Sequence, residues 1–310
     1  LGTPGCAQTS ALFCGGVVVT VPGAVRLLGA RDIRGVAGRL GVHPIKRLGQ
    51  NFVVEQGTVR QIAALAAVRS ADVILEVGPG LGSLTLALLE PALQADARLV
   101  AVEIDPVLAD ELPKTIAERA PDVADRVTVL TADALALGEN EVGAPGPTVL
   151  AANLPYNVAV PVVLHLLAAL PSLERGVVMV QAEVADRMCA GPGSRVYGVP
   201  SAKLAWYADA RLAGTVPRSV FWPVPNVDSK LVTFTRRDPP PTTASREEVF
   251  AVIDAAFGQR RKTLRAALAA WAGTPAQAER VLRAAGVDPG ARGEALTVTE
   301  FARIAQSGRR

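Results

Sequence analysis

Four short apolar runs set the rhythm of the middle of the chain: DVILEVG (72–78), RLVAVEID (98–105), VTVLTAD (127–133) and TVLAAN (148–153). Each is strand-sized and ends in a polar or glycine-rich corner. Between them, LTLALLEPAL (84–93) and PVLADELPKTIAERA (106–120) carry helical spacing, with Pro91 and Pro113 expected to interrupt or limit the helices. RGVVMVQAEVADRMCA (175–190) reads as a fifth strand and its helix, and ADARLAGTV (208–216) and SKLVTFTRR (229–237) as two later strands closing the sheet. This alternation predicts an α/β domain with a doubly wound, mostly parallel sheet. Upstream, VRLLGARDIRGVAGRL (25–40) is helical in spacing, and IKRLGQNFVVEQGTVRQIAALAAV (45–68) is a basic loop feeding a helix. Downstream, the proline-rich DPPPTTAS (238–245) reads as a linker. After it, REEVFAVIDAAF, RRKTLRAALAAWA, PAQAERVLRAAG and TVTEFARIAQ all read as helices. The expected organisation is a tail over 1–25 (disordered, or a misplaced start), an α/β domain over 26–238, and a small all-helical domain over 246–310.

Composition narrows the class. Half of the 310 residues are hydrophobic and 20% are charged, as in ordinary globular proteins. ALFCGGVVVTV (11–21) is too short for a bilayer, which needs about 20 residues, and lacks the basic flank of a signal peptide. No membrane association is expected. Cys6, Cys14 and Cys189 are scattered with no CxxC, which fits a reducing cytoplasm. With only His43 and His165, neither a His-based triad nor a metal site is expected. Residues 1–194 hold 14 Lys+Arg against 19 Asp+Glu, and residues 195–310 hold 18 against 10. A basic C-terminal part beside an acidic N-terminal part points to a polyanionic partner gripped from one side.

The strand ends carry the candidate chemistry. LEVGPGLG (75–82) places glycines at 78, 80 and 82 straight after a strand, where the backbone can turn sharply and approach a ligand. It is neither the dinucleotide fingerprint, since Ser83 stands where a third glycine would fall, nor a P-loop. Glu103 ends the second run, suited to ribose hydroxyls; Asp133 ends the third, suited to an adenine amine. Either acid alternatively reads as a helix N-cap. Together they fit an adenosine-containing ligand without a pyrophosphate, as S-adenosylmethionine is. The fourth corner is Asn153-Leu154-Pro155-Tyr156. With these corners the chain resembles the amino-methyltransferases that act on nucleic-acid bases, which implies that the Asn oxygen and the Pro155 carbonyl accept from an exocyclic amine and aim its lone pair, that Tyr156 stacks on the base, and that the base leaves its helix to reach the corner.

GQNF (49–52), LEVGPGLGSLT (75–85), VEID (102–105), ADAL (132–135), NLPYN (153–157), FWPVPNVDS (221–229) and QRRKTLR (259–265) follow one another in this order. From about residue 30 to the C-terminus the chain resembles the ribosomal RNA adenine N6,N6-dimethyltransferase family that acts on the small (16S) subunit. Its 27 Arg against 5 Lys suggest a GC-rich, actinobacterial-type member. The resemblance implies a Rossmann-like class I methyltransferase fold, S-adenosylmethionine as cofactor, and dimethylation of two adjacent adenines near the 3′ end of that rRNA during ribosome assembly. It implies that Asn51 and the Val53 backbone contact the methionine or sulfonium end and that Gly78 passes close by. Glu103 would hold the ribose, Asp133 the adenine, and Asn153 would lie beside both cofactor and amine. Phe221 would face Tyr156 across the flipped base, although the residues alone favour a core role for Phe221 slightly over stacking. Arg260, Arg261, Lys262 and Arg265, on a helix, would meet rRNA phosphates, with Lys46 and Arg47 as further RNA candidates. The expected partner is the assembling small subunit, and the protein is expected to act as a cytoplasmic monomer. The alternatives are a large-subunit adenine methylase of the macrolide-resistance type, and an assembly factor that binds RNA on a methyltransferase scaffold.

Overall fold

The computed structural model describes residues 12–14, 17–19, 25–41, 51–155 and 157–309. Leu12–Cys14 and Val17–Val19 pair antiparallel; the rest of the expected tail, together with Lys46, Arg47 and Tyr156, lies outside the described residues.

The apolar runs form one seven-stranded sheet: β1 (Val73–Val77), β2 (Arg98–Glu103), β3 (Val127–Thr131), β4 (Val149–Asn153), β5 (Arg175–Gln181), β6 (Ala208–Val216) and β7 (Ser229–Arg236). Their spatial order is β3-β2-β1-β4-β5-β7-β6. The first five are parallel, and β7 runs antiparallel to both its neighbours. The chain winds from β1 outward through β2 to β3, then crosses back to lay β4 on the other side of β1. Crossovers therefore leave β1 and β4 in opposite directions, and a crevice opens at their carboxyl ends. The topology alone places Gly78 and Asn153 at its two lips.

Helices cover both faces, so the central strands are buried on both sides and read as continuous apolar runs. Alternate residues serve different cores. Leu75, Val77, Val102, Leu150 and Ala152 join the face covered by Ala159–Ala169, Val199–Tyr207 and the C-terminal helices. Ile74, Leu99, Ala101, Val149 and Ala151 join the face covered by Ala30–Arg39, Gln56–Leu65, Ser83–Ala95 and Pro106–Arg119. By the same alternation Glu76, Glu103 and Asn153 fall on this second face, the one beneath the helix Ser83–Ala95.

Pro91 and Pro113 do not stop their helices: Ser83–Ala95 and Pro106–Arg119 run through them. An interior proline costs about 3 kcal/mol through one lost hydrogen bond and a ring clash. Burial of Leu84, Leu86, Leu88, Leu89 and Ala92 on the first helix, and of Leu108, Leu112 and Ile116 on the second, offsets it.

The linker is coil, but it is fastened: Gln306 Oε1 accepts from the Thr242 hydroxyl at 3.1 Å and from the Thr243 backbone at 3.2 Å. The helices beyond it share one apolar cluster with the sheet. Trp206 and Tyr207 meet the ring of Phe250 edge-on, at 6.3 and 6.1 Å. RRKTLRAALAAWA is not one helix. Arg246–Gly258 ends before it, a turn spans 259–263, and only Leu264–Ala267 and Ala269–Ala272 are helical. The amides of Leu264 and Arg265 instead donate to the carbonyls of Ala291 (2.8 Å) and Pro289 (3.1 Å), which fixes the break. No helix among the described residues is long and apolar enough to cross a membrane. No group of three or more His, Cys, Asp and Glu among them is placed to hold a metal.

Candidate active site

The turn after β1 holds Gly78, Gly80 and Gly82 at φ of 70°, 57° and 94°. A side chain in this left-handed region costs roughly 1–2 kcal/mol, so glycine is the residue that fits. Space adds a second constraint at Gly80, where a Cβ would lie 3.0 Å from the Phe52 ring. The turn is tied by Gly78 N–H to Val102 O (2.9 Å) and Gly82 N–H to Pro79 O (3.0 Å). Beside it, buried Glu103 accepts from the backbone of Gly80 through Oε2 and of Asp105 through Oε1, both at 3.0 Å. Burial raises its pKa, and these two backbone bonds pull against the rise. Glu103 is not a helix cap; Asp105 is, accepting from Val107 N–H at 2.9 Å. Asp133 does cap, accepting from Leu135 N–H at 2.9 Å. The Ala132 amide donates to Glu103 O at 3.0 Å and so joins this corner to the second.

Asn153 ends β4 on the opposite lip. Its Nδ2 donates to Asn51 O at 3.2 Å, which assigns the amide and leaves Oδ1 turned elsewhere. The segment carrying Asn51 is itself held down. Phe52–Val53 pairs antiparallel with Phe221–Trp222, Val54 N–H donates to Val220 O at 2.8 Å, and Trp222 stacks on Phe52 with centroids 6.3 Å apart. Two motifs some 170 residues apart in the chain thus meet as one strap. A cleft of about 90 Å³, open at its mouth, is lined by Asn51, Phe52, Val53, the turn from Gly78 to Leu81, Glu103, Asn153 and Pro155. Five of the six expected cofactor residues are therefore brought together, and the sixth, Asp133, stands exposed at the neighbouring corner.

Two expectations change here. Phe221 is 3% exposed and belongs to the core of the sheet's second face, which leaves little of its ring open to a base; the expected clamp with Tyr156 lies outside the described residues. The Pro155 carbonyl already accepts from Val158 N–H at 3.2 Å, which leaves it one lone pair.

Comparison with known proteins decides what kind of cleft this is. Residues 44–308 match the family model of the ribosomal RNA adenine dimethylases. This chain belongs to that family. Among its relatives, the ribosomal RNA small subunit methyltransferase A of Thermobifida fusca is 63% identical over 91% of this chain and 96% of that protein. The protein of the same name from Kineococcus radiotolerans is 65% identical over 90% and 91%. Of solved structures, a dimethyladenosine transferase from Plasmodium falciparum (23% identical, TM-score 0.66) covers 81% of this chain and 94% of its own. The 23S rRNA methyltransferase ErmE (26% identical, TM-score 0.60) covers 83% and 98%. The fold is that of the class I methyltransferases, and S-adenosylmethionine is the cofactor.

The residues present fit that cofactor. Its ribose needs a buried acceptor at the end of β2, and Glu103 is one. A second acid lies behind it, inside β1. Glu76, 1% exposed within β1, has no hydrogen-bond partner on either oxygen. Burial pushes its pKa up to about 8, the charge of Glu103 adds to the rise, and the Thr85 hydroxyl opposes it. Ile104 follows Glu103 directly and Leu135 lies two residues after Asp133, and they stand 67% and 40% exposed. Sequence reasoning missed these three. The available signal was an acid inside an otherwise apolar strand, and a bare aliphatic residue in each of two polar corners.

The family's basic cluster divides in two. Arg260 Nε pairs with Glu294 at 2.9 Å and its NH2 donates to Arg195 O at 2.7 Å. Arg265 pairs with Glu279 at 3.2 Å. Arg261 and Lys262 are exposed on the turn; the Lys262 amide donates to Gln259 O at 2.8 Å, but neither side chain has a hydrogen bond or ion pair to other described residues.

Proposed function

We propose that this protein dimethylates the N6 amines of two adjacent adenines near the 3′ end of small-subunit ribosomal RNA, on an assembling subunit in the cytoplasm. The observation that carries the reading is the position of Asn153. It stands at the switch point of the sheet, in the same cleft as the glycine turn and Glu103, with its amide oriented by Asn51. The relatives named for the small subunit match at 63–65% identity, against 26% for the large-subunit enzyme, and support the choice of RNA.

When bound, the cofactor supplies an electrophilic methyl group on a cationic sulfonium. The chain's own task is orientation. An adenine amine is a weak nucleophile because its lone pair is delocalised into the ring. Asn153 Oδ1 and the remaining lone pair of Pro155 O accept from the N6 hydrogens, two in the first transfer and the one left in the second, drawing the nitrogen toward sp³ so that its lone pair leaves conjugation with the ring; each methyl replaces one N6 hydrogen, whose proton passes to water. Glu103 is the one titratable side chain among the described residues lining the cleft, and its oxygens are already held by two amides. Proton abstraction is therefore not the source of rate, and positioning of the two reactants is. The adenine is read outside its helix, stacked on Tyr156. Arg261 and Lys262, with Lys46 and Arg47, contact RNA phosphates, while the bonded Arg260 and Arg265 support them.

The test uses small subunits from cells lacking this modification, isotope-labelled S-adenosylmethionine, nuclease digestion and mass spectrometry. Two neighbouring dimethyladenosines near the 3′ end are expected with the wild type, and none with Asn153→Ala. Label confined to large-subunit RNA would replace this reading with the resistance-type one. Tight binding to the small subunit without label would replace it with an assembly factor.

A further inference from the structure

Three loops that are distant in sequence converge on one guanidinium. Arg260 sits on the basic turn, its Nε donating to Glu294 and its NH2 to the carbonyl of Arg195. Glu294 in turn accepts through its backbone carbonyl from Gly193 N–H at 2.8 Å. Leu264 N–H closes the other side of the ring of contacts by donating to Ala291 O. The loop around Glu294 packs closely on the helix before the turn, where a Cβ on Gly293 would lie 3.1 Å from Ala256 Cβ, and Tyr197 Oη donates to Leu296 O at 2.8 Å. One loop belongs to the sheet domain and two to the C-terminal helices. The side chains of the next two residues, Arg261 and Lys262, point no bond back into the protein.

We propose that Arg260 is a positioning residue, not a phosphate ligand: it fastens the basic turn to the loops 190–198 and 288–296 so that Arg261 and Lys262 are presented to RNA on a fixed surface. This deepens the reading of the protein as an rRNA-binding enzyme and rests on it. A guanidinium grips phosphate with its paired donors, and here the pair on one edge, Nε–H and NH2, is already committed to Glu294 and to the Arg195 carbonyl, while NH1 makes no bond to the protein. Spending them on phosphate would free three loops that then have to be ordered on binding.

The assay is binding of wild type and variants to unmodified small subunits across a salt series. Arg260→Gln and Glu294→Gln are each expected to weaken binding by about three- to tenfold, the range for a half-exposed pair that preorganises a surface. The double variant should be no weaker than either single one. Arg260→Lys keeps the charge but cannot make both bonds, and should resemble Arg260→Gln. None of these should alter the dependence of log K on log salt. Arg261→Gln and Lys262→Gln should each flatten that slope by about 0.7–0.9, the amount for one lost phosphate contact. The proposal is overturned if Arg260→Gln flattens the slope as Arg261→Gln does, or if Glu294→Gln leaves binding unchanged or tighter. Hydrogen exchange on the free protein gives a reading independent of RNA. The amides of Gly193 and Leu264 should exchange faster in Arg260→Gln and Glu294→Gln but not in Arg261→Gln. Unchanged protection there defeats the clamp, whatever RNA the protein binds. Absence of small-subunit binding by the wild type defeats the proposed function alone. Affinity for S-adenosylhomocysteine, unchanged in every variant, confirms that the cleft is folded.

Discussion

Replacing Glu76 by Gln should change how stability depends on pH. The carboxyl lies inside β1, 1% exposed, with both oxygens unpartnered. Burial moves its pKa from the ordinary 4.5 to about 8. The folded state therefore holds this proton more tightly than the unfolded chain does. Its contribution is fully present below about pH 4.5 and is lost progressively as pH rises through about 8. Each pH unit of the displacement corresponds to about 1.4 kcal/mol, so the ceiling is about 5 kcal/mol. Relaxation and water entry around a buried ion reduce that, and a measured loss of about 2–4 kcal/mol is expected. This is a large part of the ~5–15 kcal/mol that a domain has. Gln matches the neutral acid in shape and cannot ionise. Urea denaturation of both proteins at pH 5 and pH 9 isolates the effect, since every other titrating group is common to the pair. Near-equal stability at pH 5, with the variant more stable by about 2–4 kcal/mol at pH 9, is the expected result. A difference that stays constant across that range would refute the reasoning, because the carboxyl would then titrate alike in folded and unfolded chains.

Other outcomes follow from the cleft. Glu103→Gln should lower the affinity for S-adenosylhomocysteine about 10- to 150-fold, the cost of a lost charge-assisted hydrogen bond of ~1.5–3 kcal/mol; calorimetric titration measures it, and a change under twofold would remove Glu103 from the ribose site. Gly80→Ala combines φ of 57° with a Cβ 3.0 Å from the Phe52 ring; thermal denaturation should show a loss of about 1–3 kcal/mol, with cofactor affinity falling alongside it as the strap shifts. Ile104→Ala should leave stability within about 0.5 kcal/mol, because the side chain is two-thirds exposed, yet weaken cofactor binding several-fold. Equal cofactor affinity in that variant would show that the side chain is not a wall of the adenine site.

The strands were legible because a sheet covered on both faces demands uninterrupted apolar runs, and nothing else in the chain competes with VILEV or VLAAN for that role. The order of corners then followed from winding rules, which is why Gly78, Glu103 and Asn153 could be placed before any coordinates. The prolines misled because the rule against them is local, while the compensation is tertiary. Pro91 and Pro113 each stand in a helix whose buried face outweighs one missing bond. The basic segment misled for the opposite reason. RRKTLRAALAAWA has good helical spacing, but the amides of Leu264 and Arg265 find better-placed acceptors in the loop after Val287, and no local pattern announces that.

Within the site, the same divide separates what backbone geometry dictates from what partners dictate. A glycine held at positive φ is written into the sequence as glycine. A ribose-binding acid at a strand end needs only the strand to be found. Phe221 and Arg260 carry no such mark. Phe221 reads only slightly better as a core ring than as a stacking ring, and it joins the core beside Val53, a residue 168 positions earlier. Arg260 and Arg261 are adjacent and chemically identical, yet one is bonded to Glu294 and Arg195 while the other has no bond to the protein. The contacts of such residues are set between distant segments, so a motif that names four cations does not announce which of them are already bonded within the protein. Charge counting locates the face, and the ion-pair map divides its residues into those that hold the surface and those that are free to bind.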